Sequence, residues 1–417
     1  MLRKTSSTIF FYAESVLTRS RNLYPLFKYL NDWILGGSRN VEAFVIQGPV
    51  GSTDIFVKTL FIGTKESAYE FADKTYSQFG DLSSLKELQQ NQIDPLRLPN
   101  TEIVAARIDR PFAGRFIKQN YLVLPNVSFR LDLRMSTASL VRRMSRRRRR
   151  DIQKIRSYNY SYSISRNDER DFDFFYRGMY LPYAIERFGK TAHVRTYLDL
   201  KATYRGNGGI LFLKKKEIPI AGILFQIRGK EVHASSFGVY QGDESFIRDL
   251  ASQATLFFLI GWAKTRGMET LDYGVSAPFF KEGIFTYKKE WGMAVEEQRS
   301  QSVCVLKFNP LSQGSLSFLQ HNPFITVEKD RLKGIIFLDH KPAEGELKQI
   351  FSRYFLPKLD SLIVITCFKP AGEVEEGKEL STAFLNFSNL MKPLLSICEA
   401  LHRNNFVVGV SELKEQQ

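Results

Sequence analysis

Two polar residues in strand-like stretches have the chemistry of proton transfer. His233 lies in EVHASSFGV, where alternation places it on one face with Ser235 and Phe237. Asp272 lies in LDYG. An imidazole accepts a proton near neutral pH, and a carboxylate acts as a base or orients a partner. We therefore predict both as catalytic, although a single histidine on a strand is more often structural.

Aromatic and cationic side chains flank a proline that must interrupt a helix. Tyr180, Tyr183 and Arg187 surround Pro182 in MYLPYAIERFG, and a proline inside a helix removes a backbone hydrogen bond. These three side chains are predicted to line a substrate-binding groove. Aromatic residues at helical spacing also commonly form core, which is the alternative interpretation.

The segment RRMSRRRRRDIQKIRS, residues 142–157, concentrates positive charge. Its eight arginines and one lysine, less one aspartate, carry a net charge of +8, about half of the +15 of the whole chain. A charge focused in this way indicates a local anionic partner more than a generally basic protein.

A helical wheel places Arg148 in the middle of an apolar stripe. At about 100° per residue, one helix face carries four apolar side chains, namely Val141, Met144, Ile152 and Ile155. A buried arginine needs a carboxylate, phosphate or carbonyl partner. We expect an amphipathic helix with Arg148 pointing inward, either in a structural ion pair or binding an anionic substrate. A targeting signal is the third interpretation.

Several kinds of site have no support in the sequence. The three cysteines are far apart without a CxxC pair, and the five histidines lack metal-ligand spacing. No GxSxG or HExxH motif occurs. The longest apolar run, ATLFFLIGWA, is too short to span a bilayer, and the N-terminus is more typical of a helix than of a secretion signal. We expect a cytoplasmic, soluble protein without a metal.

Three segments with α/β patterns must position these residues. The first, residues 1–134, alternates strand-like runs with a helix near 64–80. The second, 135–310, reads β-α-α-β-β-β-α-β-α-β. The third, 318–417, reads β-α-β, followed by an acidic loop and a final helix. The expected fold class is α/β (α+β) in more than one domain.

The order of motifs in the second segment resembles that of Fem-type acyltransferases. The matching stretches are RRRRRDIQKIRSYNYSYSISRN, FYRGMYLPYAIERFG, IAGILFQ with VHASSFGVY, WAKTRG, LDYGVSAP and YKKEWG. Fem-type proteins are tandem copies of the GNAT N-acetyltransferase fold. The resemblance, which covers about 130–308, implies tandem GNAT-like mixed-sheet domains, a degenerate first copy in 1–134 and a small C-terminal α/β extension.

The resemblance also implies where an acyl donor would bind. GNAT enzymes hold the pyrophosphate of acyl-CoA on N–H groups at a helix N-terminus, in a loop of pattern R/Q-x-x-G-x-G/A. The corresponding residues here include Arg248, Ala251, Ser252 and Gln253, which we predict to bind the cofactor. Ala251 and Gln253 replace small residues, and their side chains hinder close approach of a phosphate. This departure weakens the prediction that acetyl-CoA is the donor more than the prediction of acyl transfer, because some Fem-type proteins use aminoacyl-tRNA as the donor.

Two residues of TYKKEWG take roles from the same resemblance. Lys288 would neutralise charge that develops on the acyl carbonyl or on a phosphate. Tyr287 would protonate the departing group. The alternative is that Tyr287 and Trp291 only pack one helix face and that Lys288 is solvated.

The predicted activity is transfer of an acyl group, acetyl from acetyl-CoA in the first instance, to an amine of an anionic or cell-envelope-type acceptor. An aminoacyl-tRNA-dependent transferase is one alternative. A non-catalytic nucleic-acid-binding protein, with the arginine segment on tRNA or other RNA, is the second. Peripheral contact with an anionic membrane is a further use of the basic helix.

Overall fold

A computed structural model of the chain describes residues 40–89, 93–94, 101–188, 194–298, 302–368, 390–404 and 406–414. The predicted N-terminal helix and the acidic loop near 372–379 lie outside these ranges. Three sheets, each mixed in strand direction, and the helices around them confirm the predicted α/β fold class.

Strands and helices alternate along most of the described residues. The strands are β1 (Asn40–Pro49), β2 (Phe56–Gly63), β3 (Ser84–Gln89), β4 (Ile103–Asp109), β5 (Leu122–Leu124), β6 (Asn126–Asp132), β7 (Tyr160–Ser165), β8 (Gly208–Lys215), β9 (Ile218–Arg228), β10 (Glu231–Val239), β11 (Thr270–Ser276), β12 (Ala294–Gln298), β13 (Ser302–Phe308), β14 (Phe324–Glu328), β15 (Arg331–Leu338), β16 (Ser361–Phe368) and β17 (Val407–Leu413). The helices are α1 (Lys65–Thr75), α2 (Arg110–Lys118), α3 (Thr137–Arg143), α4 (Arg146–Ser157), α5 (Glu169–Phe175), α6 (Leu181–Phe188), α7 (Tyr197–Arg205), α8 (Glu244–Arg248), α9 (Ala251–Thr265), α10 (Gly283–Glu290), α11 (Gln313–His321), α12 (Glu344–Tyr354) and α13 (Lys392–Arg403).

The chain divides into two compact units. One comprises the described parts of 1–123, 300–316 and 392–397, and the other those of 124–299, 317–391 and 398–417. The first unit contains a sheet in the order β3-β1-β2-β4-β13-β5, in which β2 and β4 run parallel. Helix α1 begins at Thr64, whose side chain accepts a hydrogen bond from Ser67 N.

The second unit is built on a seven-stranded sheet in the order β12-β6-β11-β10-β9-β8-β7. Its neighbouring strands are antiparallel except β10 and β11, which run parallel. A four-stranded sheet, β14-β15-β16-β17, follows in the same unit, with β15 and β16 parallel. Side chains of this C-terminal part share one apolar core with β6, α9 and α10, among them Ile325, Leu332 and Ile336.

Two strands lie in sheets other than those implied by the predicted domain boundaries. β6, inside the predicted 1–134, pairs with β11 and β12 of the seven-stranded sheet. β13, inside the predicted 135–310, pairs with β4 of the six-stranded sheet. Alternating apolar residues predict that a stretch is a strand, but its partner strand is a long-range choice that the local pattern does not carry. The assignment of the first unit as a degenerate GNAT copy stays a prediction.

The arginine segment forms two helices where the wheel argument expects one. Helix α3 ends at Arg143, and α4 begins after Ser145, whose side chain accepts a hydrogen bond from Arg148 N at 3.1 Å. The predicted apolar stripe is confirmed, because Met144, Ile152 and Ile155 are buried. The segment is therefore a folded element of the second unit and not a free basic arm.

The helix around Pro182 is continuous but irregular. Asp168 caps its start, accepting hydrogen bonds from the N–H groups of Arg170 and Asp171. A π-helical turn, Tyr176–Tyr180, then joins α5 to α6, so that Pro182 lies in the first turn of α6. This insertion removes the backbone conflict that a proline creates inside a regular helix.

Gly238 of β10 allows that π-helical turn to lie directly on the sheet. A Cβ atom at this position would approach Met179 C to 2.5 Å and Tyr180 Cα to 2.6 Å. We expect Gly238→Ala to lower the free energy of unfolding by about 1–3 kcal/mol, as overpacking does, measured by chemical denaturation. Gly261→Ala is the control, since a Cβ there meets nothing within 4 Å, and alanine in helix α9 should stabilise it by up to about 1 kcal/mol. Equal stability of the two variants would contradict this packing.

Candidate functional site

Strands β10 and β11 are neighbours at one end and part at the other. They pair only over Glu231–His233 and Thr270–Asp272. Beyond this point β10 stays paired with β9 up to Val239, and β11 stays paired with β6 up to Ser276. Each strand is thus held by its other neighbour while the two separate. We call the space between them the wedge, and ligands of α/β proteins commonly bind at such carboxyl ends of parallel strands.

Helix α9 follows β10 and carries three of the four predicted cofactor-binding residues. Ala251, Ser252 and Gln253 form its first turn, where helices leave N–H groups without intrahelical partners. Leu250, left-handed at φ 64°, precedes them and provides no side-chain cap. The turn also lacks acidic residues. These features favour an anion at the start of α9.

The loop before α9 differs from the open glycine-rich loop that the resemblance implies. It folds into α8, and the N–H groups of Asp249 and Leu250 donate to Ser245 O and Ile247 O. Those two N–H groups are therefore satisfied within the loop. The charge of Asp249 is balanced by Lys215, whose ammonium lies 2.9 Å from its carboxylate. The backbone N–H groups that remain available to a phosphate here are therefore those of the first turn of α9.

Tyr287 of α10 contacts this first turn. Its hydroxyl donates to Ser252 O at 3.3 Å and accepts from Ser252 Oγ at 3.2 Å. The ring of Tyr273, on β11, stacks on it with centroids 6.0 Å apart. Burial raises the pKa of both tyrosines, that of Tyr273 well above its ordinary value. Tyr287 is thus a protonated hydroxyl at neutral pH that lies against the first residues of α9.

Arg148 points inward, as the wheel predicts. It is 1% exposed, and its terminal nitrogens donate to Asp151 at 3.1 Å and to Glu290 at 2.6 Å. Its guanidinium carbon lies 4.9 Å from the ring centre of Tyr287 and 5.1 Å from that of Trp291. Both terminal nitrogens are used inside the fold, so the predicted substrate contact gives way to a positioning role for Tyr287.

Lys288 does not occupy the position expected of a charge stabiliser on a substrate. It is 3% exposed, and its ammonium donates to Gly274 O at 3.0 Å and to Val275 O at 2.9 Å. The alternative of a solvated lysine is equally wrong. Because its carbonyl partners belong to β11, Lys288 ties α10 to the strand that forms one side of the wedge.

His233 and Asp272 come together at the last pair before the strands part. His233 Nδ1 lies 3.4 Å from Asp272 Oδ2, and Asp272 Oδ1 accepts from Gly274 N at 2.8 Å. Arg130 of β6 places a guanidinium nitrogen 3.6 Å from the same carboxylate. Burial opposes ionisation of Asp272, but the neighbouring His233, the hydrogen bond from Gly274 N and the charge of Arg130 hold its pKa below the ordinary value. Asp272 is therefore an ionised partner for the imidazole.

The two groups of candidates lie on opposite faces of the sheet. Val232 and Leu271 point into the apolar core against which Tyr273 and Tyr287 pack. His233 and Asp272 follow them along their strands and so point to the other face, because strand side chains alternate. The wedge thus has a hydroxyl on one face and an imidazole–carboxylate pair on the other.

A cavity of about 150 Å³ joins three residues that were predicted separately. It is lined by Tyr183, Glu186, Arg187, Gly242, Glu244, Ile247 and Arg248. The structure thus brings the predicted substrate-binding Tyr183 and Arg187 together with Arg248, which was assigned to the cofactor. Arg248 lies 3.8 Å from Glu244 and is largely exposed.

Tyr180, the remaining predicted substrate-binding residue, belongs to the core. It is 7% exposed, its ring stacks on Phe175, and its hydroxyl accepts from Arg195 N at 2.8 Å. The groove role predicted for Tyr180 from its place beside Pro182 is therefore wrong, and the alternative, core packing of aromatic residues at helical spacing, is correct for this residue.

Sequence reasoning missed two residues that organise the site. Tyr273 directly follows Asp272, and strand alternation could have assigned it to the opposite face. Glu290 lies 142 positions from Arg148, and no local signal connects them. Among the described residues no group of three or more potential metal ligands occurs, and no described helix has the length and apolarity to cross a membrane.

Removing the buried guanidinium should destabilise the second unit. We expect Arg148→Ala to lower the free energy of unfolding by about 3–5 kcal/mol, because Glu290 and Asp151 would lose the charge that compensates them. Arg147→Ala is the matched control: its side chain is 76% exposed and lies 3.9 Å from Glu290, so a change within about 0.5 kcal/mol is expected. Denaturant unfolding of both variants measures the difference, and an unchanged midpoint for Arg148→Ala would show that the pair is not structural.

Comparisons with known proteins return distant structural likeness only. No family model and no curated protein matches the sequence. Similar solved structures include FemX (11% identity, TM-score 0.35, covering 64% of this chain and 87% of that chain) and L-PGS from Bacillus licheniformis (14%, 0.33, 66% and 84%). A GCN5-related N-acetyltransferase from Sphaerobacter thermophilus is also similar (12%, 0.29, 60% and 72%). These likenesses are too distant to assign a site or an activity to this chain.

Proposed function

We propose that this chain is an acyltransferase that moves an acyl group from an activated carrier to an amine in the wedge. The observation that carries the proposal is the separation of β10 and β11 directly after His233 and Asp272. Tyr287 and the first turn of α9 lie on one face of this opening, and the imidazole–carboxylate pair lies on the other. Acyl transfer needs an acid for the leaving group and a base for the amine, and these two faces provide them.

The leaving-group side is formed by α9 and Tyr287. A carrier phosphate would bind the N–H groups of the first turn, where the helix dipole also favours it. The thiolate or alkoxide that departs from the acyl carbon would take its proton from the Tyr287 hydroxyl. Its raised pKa keeps the phenol protonated at neutral pH, and Arg148 against the ring holds it in place.

The amine side is formed by His233 and Asp272. The amine must lose a proton as its nitrogen bonds to the acyl carbon, and His233 Nε2 would accept it, since Nδ1 faces Asp272. The ionised Asp272 would stabilise the imidazolium that results. Backbone N–H groups along the parted edge of β10 would polarise the acyl carbonyl, a role the sequence assigned to Lys288.

The charged residues around the cavity and on α4 indicate which acceptor and which acyl carrier the protein would bind. The cavity beside α6 and α8 presents Arg187 and Arg248 with Glu186 and Glu244, which suits an acceptor that bears both an amine and an anionic group, including envelope-type precursors. The carrier is acyl-CoA or aminoacyl-tRNA. The second is favoured by the exposed arginines on α4 and by the folded loop before α9. The same arginines support RNA binding without catalysis, or contact with an anionic membrane, as alternatives.

Ligand-induced stabilisation separates these carriers. Acetyl-CoA or bulk tRNA, at about 100 times its Kd, should add roughly 2.7 kcal/mol to the folded state, measured by thermal unfolding. Changing Arg146, Arg147 and Arg150 to glutamine should abolish the tRNA effect and leave that of acetyl-CoA. If neither ligand stabilises the protein, neither carrier binds and the proposed donor classes are wrong.

Tyr287→Phe tests the chemistry itself. The variant keeps the ring against Arg148 but lacks the proton, so kcat should fall by about 10²–10⁴-fold while KM changes little. Release of free CoA or deacylated tRNA in the presence of a panel of amines measures the rate. Tyr162→Phe, at an exposed position on β7, is the control. A kcat within twofold of the natural protein would remove Tyr287 from the mechanism.

A further inference from the structure

Two cationic side chains lie against one aromatic ring where α10 meets α12 in the second unit, and a third, Lys281, is near enough to Arg353 for the two charges to interact. Lys289 Nζ lies 5.8 Å from the ring centre of Tyr354, and the guanidinium carbon of Arg353 lies 5.4 Å from the same ring. The ring of Phe280 packs edge-on against Tyr354 at 5.4 Å, and Lys281 follows it in sequence. Lys289 is half-buried, while Lys281 and Arg353 are exposed around it.

The charges of this cluster are not balanced. None of Lys281, Lys289 and Arg353 forms an ion pair within 4 Å with a carboxylate of the described residues. The two acids adjacent in sequence have other partners: Glu290 is bonded to Arg148 at 2.6 Å, and Glu282 accepts from the N–H groups of Ile284 and Phe285 at the start of α10. Burial, and then the charge of Arg353, lowers the pKa of Lys289 to about 8 against the opposing charge of Glu290, and the same two causes lower that of Lys281 below its ordinary value. Like charges held together without an acid disfavour their own ionised forms.

Packing alone explains only part of this arrangement. A cation over the Tyr354 ring stabilises the contact between α10 and α12. One cation is enough for this packing interaction. The second cation on this ring, Arg353, repels both Lys289 and Lys281. An anion bound between the three would turn the repulsion into attraction, with the planar guanidinium pairing two of its oxygens and the lysines contributing charge.

We propose that Lys281, Lys289 and Arg353 form a binding site for a small phosphate-type anion carrying at least two negative charges. This site is separate from the wedge, because Lys289 and Tyr287 lie about 200° apart around α10. It stands whether or not the chain transfers acyl groups. The ligand chemistry is a phosphate monoester or a pyrophosphate group, either free or at the end of a larger molecule.

Protection of Lys289 from an amine-reactive reagent tests the proposal on the full chain. Labelling would be followed by mass spectrometry across a pH series, with and without inorganic pyrophosphate. We expect labelling at pH 8 to fall about tenfold when pyrophosphate binds, because the anion raises the pKa of Lys289. Lys348 on α12, largely exposed and 2.7 Å from Glu344, is the internal control and should not respond. Sodium chloride at equal ionic strength serves as the second control.

Variants of the two exposed cations make the test specific. Arg353→Gln and Lys281→Gln should each raise the pyrophosphate concentration for half-protection by about tenfold, whereas Lys348→Gln should leave it unchanged. Equal protection by sodium chloride, or an unchanged half-protecting concentration in Arg353→Gln, would overturn the site. A short unphosphorylated RNA supplies the last arm: if it protects Lys289 while pyrophosphate does not, the cluster belongs to a polyanion surface and the small-anion site is wrong.

Discussion

A guanidinium held in the interior is the constraint on which the rest of the site depends. Because Arg148 is buried, α4 and α10 must meet so that Glu290 reaches it, and the rings of Tyr287 and Trp291 close over it. This contact sets Tyr287 against Ser252 at the start of α9. It also leaves the other arginines of α4 outside the core, since one face of the helix is already filled.

The same interaction shapes the surface beyond the site. Glu290 is the acid that could have balanced Lys289, its neighbour in sequence, but it is bonded to Arg148 instead. One buried pair therefore produces two different surfaces. The face of α10 toward α9 carries a protonated phenol, whereas the face toward α12 carries Lys289 against the ring of Tyr354.

The wedge depends on the outer neighbours of its two strands. β9 and β6 keep β10 and β11 extended after they part, and Lys288 ties two carbonyls of β11 to α10. Lys288 contributes to the site by holding the backbone of β11, and its ammonium is bonded to the two strand carbonyls. His233 and Asp272 lie at the point of separation because that pair is the last in register.

Local periodicity was sufficient to predict several features. The inward Arg148 and the apolar face of α4 both follow from residues within about four positions of one another. The partner of Arg148, the sheet of β6 and β13, and the orientation of Lys288 depend on residues far along the chain. Tyr180 was assigned to the groove because it lies beside Pro182, whereas the alternative for aromatic residues at helical spacing, core packing, is what the fold shows. His233 and Asp272 were each predicted from the local sequence. Their contact could not be predicted, because it depends on the register between β10 and β11.

The placement of β6 and β13 has a consequence for how such a chain can change over generations. The six-stranded and seven-stranded sheets each include a strand from beyond the boundary near residue 134 that sequence patterns suggest. A genetic exchange at that boundary would separate β6 and β13 from their partner strands and leave unpaired strand edges, which favour aggregation. Neither side of that boundary could therefore be exchanged as a module without the strand that pairs with the other side.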